Sequence, residues 1–336
     1  MTDQQPMDVF SIGQIRQAAY RITDYVVRTP LLSSPMLDKA AGARVWVKTE
    51  ALQLTGSFKI RGALNKVLGL SEDNRKNGIA AFSAGNHASA VAAAASIVGC
   101  PAVIVVPSNA PRIKVENCRW WGAEVVFYDP ATEDRAEITQ AIAAQRGMTI
   151  ISPFDDHAIM AGAGTTGLEM AEQLIAAGQK PDAVVINCSG GGLASGVSEA
   201  MGHFFPEIEK YIVEPQGYDK MAHSLAAGEV RSNPAVRHTI MDGISGPVAG
   251  KLPLEVLLRH GVKALTVDDG EALAAVATSF YTLKTVIEPG GAASLAAVLS
   301  KKANFAGKTV AIVASGGNVD PAVYTRALVE NPLKLA

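Results

Sequence analysis

Short runs rich in β-branched residues alternate with Ala-rich stretches of helical period along most of the chain, and this rhythm constrains the fold more than any other feature. The runs lie at 44–48, 79–83, 102–106, 124–128, 183–187, 211–214, 264–267 and 309–314. Helices are predicted at 12–23, 57–69, 87–98, 111–121, 132–146, 158–177, 193–203, 268–283, 291–300 and 321–329. Strand, helix and strand in succession build parallel pairs with the helix laid on one face. The expected class is therefore α/β, with mainly parallel sheets flanked by helices. A length of 336 residues suits about two domains. Residues 215–262 break the rhythm, hold Asn233-Pro234 and Gly246-Pro247, and read as a loop-rich excursion near a site.

Composition removes several classes. The net charge is −2, with acids and bases mixed, which argues against a nucleic-acid partner. No apolar run approaches the ~18 residues of a membrane helix. The first five residues lack the basic and apolar regions of a signal peptide. Cys100, Cys118 and Cys188 form an odd, unpatterned set that fits a reducing cytoplasm, with neither a disulfide framework nor zinc spacing.

In parallel sheets, ligands sit beyond the carboxyl ends of strands. Three such loops stand out, after Ser83, Asn187 and Ala314. Ser189-Gly190-Gly191-Gly192-Leu193 follows a strand and opens a helix. Its glycines allow a tight turn, and exposed N–H groups at a helix start bind a small phosphate without a basic side chain. A dinucleotide fingerprint fails because Ser195 stands where a third glycine is needed, and no Walker lysine follows. The alternative is a plain strand-helix turn. Ser83-Ala84-Gly85-Asn86-His87 suits a carboxylate, or simple helix capping by Ser83 or Asn86. His87 in that position reads as a packing or hydrogen-bonding residue. Ser315, in Ser315-Gly316-Gly317-Asn318, offers a hydroxyl to a ring nitrogen, or only completes a turn.

The fourth piece is Lys59, between Phe58 and Ile60 in Gly56-Ser57-Phe58-Lys59-Ile60-Arg61-Gly62. A hemmed-in lysine loses hydration, which disfavours its charged form, and a neutral amine forms Schiff bases with aldehydes. The four pieces together suit pyridoxal 5'-phosphate and an amino-acid substrate.

From Gly56–Ala63, Ser83–His87, Ser189–Leu193, Glu288-Pro289-Gly290-Gly291-Ala292 and Ser315–Asp320, in one order, the chain resembles the fold-type II pyridoxal-phosphate enzymes, and among them the serine/threonine dehydratases. The resemblance implies two open twisted sheets. It also implies a small domain at 78–153 inserted in a large cofactor-binding domain at 1–77 and 154–336. It assigns Lys59 to hold the cofactor covalently and to act as catalytic base, with Phe58 packed beside it. Asn86 would meet the ring hydroxyl, Ser189 to Leu193 the phosphate, and Ser315 the ring nitrogen. Ser83, Gly85, Asn86 and His87 would grip the substrate carboxylate. Glu288 would lie near the ring, or cap the following helix.

The implied reaction is α,β-elimination from a β-hydroxy amino acid. The expected substrates are L-threonine, giving 2-oxobutyrate and ammonia, and L-serine, giving pyruvate and ammonia. The alternatives are a dehydratase for 3-hydroxyaspartate or a phenylserine, an amino-acid racemase, and a non-catalytic cofactor-binding protein. Racemases of the family carry serine where Ala84 stands, and alanine has no acid-base chemistry. A homodimer or homotetramer is expected. The end of the chain at Ala336 leaves no regulatory tail, so isoleucine inhibition is not expected. Two departures from the family pattern stand out. Many relatives bind a divalent cation through a run matching Glu214–Lys220, but Lys220 replaces the second acid. The expectation is no metal, with Lys220 pairing with Glu214; a solvated lysine, or a cation shifted to Glu214 and Asp219, are the alternatives. Relatives also carry glutamine at Ala163, in a segment that can border the substrate.

Overall fold

The computed structural model describes residues 9–110, 112–233 and 238–333. The readings above that fall on residues 1–5, 111, 234 and 334–336 lie outside that range. Among the described residues, the strands are β1 (Leu31–Leu32), β2 (Arg44–Thr49), β3 (Ile79–Phe82), β4 (Ala102–Pro107), β5 (Glu124–Tyr128), β6 (Thr149–Ile150), β7 (Ala183–Asn187), β8 (Glu209–Pro215), β9 (Lys263–Val267) and β10 (Thr309–Ala314). One sheet runs β1-β2-β10-β7-β8-β9, and the other, built within residues 79–150, runs β5-β4-β3-β6. Every pairing is parallel except β1 with β2.

The apolar runs are unbroken because helices cover both faces of the sheets. Along β7, Ala183 and Val185 enter one core with β10 and the Pro289–Leu299 helix, while Val184 and Ile186 enter another beneath the Gly192–Phe204 helix. The Cys100, Cys118 and Cys188 thiols are buried and free. No helix among the described residues is long and apolar enough to cross a membrane.

The excursion at 215–262 is more regular than its sequence suggests, for it contains the Lys220–Ala227 and Lys251–Arg259 helices. Pro253 reads as a breaker but sits in a first turn, where a missing N–H costs nothing. The predicted helix at 57–69 begins only at Lys59, because Ser57 forms an isolated bridge with Gly316. The two-residue strands β1 and β6 are too short to show a period, and the Pro35–Ala41 and Glu72–Asn77 helices are likewise short.

Three helices meet through glycines. Any Cβ on Gly62 would stand 2.9 Å from the Ile159 carbonyl, and one on Gly162 would stand 2.7 Å from Gly62 Cα. One on Gly196 would stand 2.6 Å from Gly164 Cα, and one on Gly167 would stand 2.8 Å from Val197 Cα. The Lys59–Leu68 and Gly192–Phe204 helices therefore both press backbone-close on the His157–Ala176 helix.

Candidate active site

β7 and β10 are parallel neighbours, so the loops after Asn187 and Ala314 leave the sheet at the same end. Asn187 ties them together: its Nδ2 donates to Ser315 Oγ at 2.9 Å, to Val313 O at 3.0 Å and to Gly291 O at 2.8 Å. Since Ser315 Oγ accepts here, its own proton is available to a ring nitrogen.

Lys59 is the first residue of its helix. The preceding turn is pinned to the same strand end, with Phe58 N donating to Ser315 O at 3.1 Å. Lys59 Nζ lies 5.2 Å from the Phe58 ring centroid and donates to Pro153 O at 2.8 Å. Burial pulls its pKa down to about 8. The positive end of its own helix favours the neutral amine as well.

Phe154, next to Pro153, joins the amine to the glycine loop. Its ring packs flat against Gly190, where a Cβ would collide with it, and its Cα lies 3.1 Å from a Cβ built on Gly192. Gly191 has φ +97°, and a Cβ there would meet Met221 Cε at 2.6 Å and Pro253 Cβ at 2.7 Å. No side chain caps the helix that begins at Gly192. Ser189 Oγ accepts from Gly246 N at 3.2 Å. Ser189, Gly190, Gly191, Gly192 and Leu193 thus form a turn without a charged side chain and with open N–H groups, which fits a phosphate.

The Ser83 loop reaches the same place. Asn86 Nδ2 donates to Glu288 Oε1 at 2.6 Å, and Asn86 Oδ1 accepts from Asn318 Nδ2 at 2.8 Å. Ser83 Oγ accepts from Gly85 N at 3.2 Å, and no side chain caps the Asn86–Val98 helix, so neither Ser83 nor Asn86 is its cap. The His87 imidazole turns away, to Ile151 O at 3.0 Å. Burial, then the charge of Lys59, lowers its pKa to about 3. What His87 offers a carboxylate is its backbone N–H. Glu288 precedes the Pro289–Leu299 helix without capping it, its carboxyl turned toward Asn86 and Gly316 instead. Burial, then Asp242, raises its pKa to about 7, against Asn86 and Lys114.

Lys220 is not solvated. It and Glu214 are fully buried and paired at 3.0 Å. Asp219 pairs instead with His223 at 3.4 Å. Ala163 is 1% exposed and packs in the core that contains Leu193.

Arg61, two residues beyond Lys59, anchors the helix from behind. Its guanidinium is fully buried and donates to Glu50 at 2.7 and 2.9 Å, to Glu169 at 2.7 and 2.9 Å, and to Thr165 at 3.1 Å. Lys48 Nζ adds a second cation on Glu169 at 2.6 Å. Burial works to raise the Glu169 pKa, yet Arg61 and Lys48 hold it below the usual range.

Sequence reasoning passed over Asn187, Phe154 and Asn318. Asn187 had a visible signal, a polar residue closing an otherwise apolar buried strand. Asn318 closes the Ser-Gly-Gly-Asn turn, and Gly56, with φ +70°, lies directly against its amide. Phe154 had none, because its partners are backbone atoms far along the chain.

Residues 22–316 match the family described as "Pyridoxal-phosphate dependent enzyme". The chain is 38% identical over 324 residues to an L-threo-3-hydroxyaspartate ammonia-lyase of Pseudomonas sp, covering 96% of this chain and 99% of that one. It is 39% identical to a serine racemase of Arabidopsis thaliana, over 92% and 93% of the two chains. It is 38% identical to an L-threonine ammonia-lyase of Thermotoga maritima, over 95% and 78%. Among solved structures, maize serine racemase superposes with a TM-score of 0.88 at 36% identity, over 95% and 97% of the chains. The threonine deaminase of T.th. does so with 0.87 at 39%, over 92% and 99%.

Proposed function

The chain belongs to the pyridoxal-phosphate dependent enzymes, and from that membership we propose that it is an ammonia-lyase for a small β-hydroxy amino acid, L-threonine or L-serine. Pyridoxal 5'-phosphate is the cofactor. When bound, it supplies the electron sink that lets a Cα–H bond break. The observation that carries the reading is the amine of Lys59, desolvated and held beside an uncharged phosphate turn. A neutral Nζ accepts the Cα proton. The backbone N–H groups at the start of the Asn86–Val98 helix orient the substrate carboxylate. Ser315 Oγ, which accepts from Asn187, would donate its proton to the ring nitrogen without transferring it. Water is lost across Cα and Cβ, and a second water hydrolyses the released imine, so threonine yields 2-oxobutyrate and ammonia, and serine yields pyruvate and ammonia. We assign residues 78–153 to a small domain whose closure excludes water from the reacting carbon. The test is release of 2-oxo acid and ammonia from a panel of β-hydroxy amino acids, ranked by kcat/KM. Release from none of them overturns the proposal.

One observation favours a second substrate, 3-hydroxyaspartate. The Arg135 guanidinium lies 5.1 Å from the ring centroid of Phe82, the residue before Ser83. A second carboxylate on the substrate would find a cation there. In that case Arg135→Gln raises KM for L-threo-3-hydroxyaspartate about tenfold and leaves KM for L-serine unchanged.

Two further outcomes are expected. Ala84 has no proton to give the opposite face of Cα, so D-serine should form from L-serine at under about a hundredth of the rate of pyruvate, a gap within the usual worth of one acid-base group. Chiral chromatography of the reaction measures it, and comparable rates would refute the assignment. Magnesium, calcium or a chelator should change kcat/KM by less than about twofold, because Lys220 already supplies the positive charge at Glu214. Strong activation by either ion would refute that.

A further inference from the structure

Glu214 is the penultimate residue of β8, and its carboxylate does more than meet Lys220. It accepts from Met221 N at 3.1 Å and from Ala222 N at 2.9 Å. These are first-turn donors of the Lys220–Ala227 helix, whose own N-cap residue, Asp219, makes no side-chain cap. A carboxylate from another element therefore fixes where this helix starts. Lys220 Nζ donates both to Glu214 Oε1 at 3.0 Å and to Tyr218 O at 3.2 Å, which closes the turn between strand and helix.

The helix start matters because of what it carries. Met221 is fully buried, and its terminal methyl lies 2.6 Å from where a Cβ on Gly191 would stand. Gly191 is the left-handed residue at the turn of the phosphate-binding loop. The loop has no charged side chain of its own, so its grip depends on where its backbone N–H groups point. Strand pairing brings the two elements together as well, since Cys188 N, just before the loop, donates to Val213 O at 2.8 Å.

We propose that the Glu214–Lys220 pair positions the phosphate-binding loop, acting through Met221 on Gly191. The pair touches neither cofactor nor substrate, so these are positioning residues. Removing the ammonium leaves a buried carboxylate without its counter-charge, the carboxylate loosens its hold on the helix start, and the support under Gly191 shifts. The proposal deepens the cofactor reading and is independent of which amino acid is converted.

The test is cofactor affinity. Apoenzyme is titrated with pyridoxal 5'-phosphate and, separately, with pyridoxal, and the imine absorbance is followed. Lys220→Met should raise the Kd for pyridoxal 5'-phosphate at least about tenfold and leave that for pyridoxal within about twofold. At saturating cofactor, kcat and substrate KM should stay near native, and Lys220→Arg should recover part of the affinity. Met221→Leu removes only the reach to Gly191 and should raise the same Kd about threefold; combined with Lys220→Met it should add little. Unchanged phosphate-form affinity in Lys220→Met overturns the proposal, as does an equal loss for both aldehydes. Should Lys220→Met fail to fold, Met221→Leu decides alone, and native affinity in it overturns the proposal. Imine formation by native apoenzyme is the control that separates this from failure of the cofactor reading itself.

Discussion

Lys59→Ala is expected to lower kcat for 2-oxo acid release by about 10³–10⁴-fold, the combined worth of a general base and a covalent anchor. The protein should fold as before, because Lys59 is the first residue of its helix and its side chain makes one hydrogen bond, to Pro153 O. The imine absorbance should vanish, while the glycine turn still retains the cofactor through its phosphate. Borohydride reduction followed by peptide mapping should find the pyridoxyl group on Lys59 in the native protein and nowhere in the variant. The pH dependence follows from burial, which sets the free amine near a pKa of about 8. Below that value the amine is protonated and cannot attack an aldehyde. Capture of the cofactor by apoenzyme should therefore accelerate as pH rises toward 8 and level off above it. A variant that keeps a tenth or more of native turnover would remove Lys59 from the chemistry.

Arg61→Met is expected to destabilise the fold by about 3–5 kcal/mol, the usual result of removing one partner from a buried ionic cluster. Glu50 and Glu169 would lose their guanidinium, and Glu50 is fully buried. Methionine fills the volume and supplies none of the donors. Lys48 bonds Glu169, Gln173 and Thr29, so Glu50 would be left with a single donor, Thr29 Oγ1 at 2.6 Å. Arg61→Lys should recover only part of the loss, since an ammonium cannot make two forked pairs at once. Urea denaturation of the three proteins measures it. Equal midpoints would mean that the cluster does not hold the Lys59–Leu68 helix in place.

The parts of the molecule that were legible in the sequence are those with a local cause. β7, β4 and β10 announce themselves as continuous apolar runs because helices cover both faces. The triple glycine after Asn187 is visible because backbone chemistry alone explains it. Less legible was anything decided by distant neighbours. Ser57 has the local character of a helix start, and a bridge to Gly316 pulls it out of the helix. The amphipathic Lys251–Arg259 segment was obscured by Pro253, whose position in the first turn cannot be known until the helix start is known. His87 illustrates the same limit at the site, since its local sequence does not show that the imidazole will meet Ile151 O.

The glycine seams have a consequence for what the molecule will accept. The amine and the phosphate turn each sit at the front end of a helix, and both helices are clamped to one shared partner by contacts that leave no room for even a methyl group. They behave like the jaws of a caliper locked at one opening. Analogues whose aldehyde and phosphate are set further apart or closer together should be rejected for their length, whatever their charge.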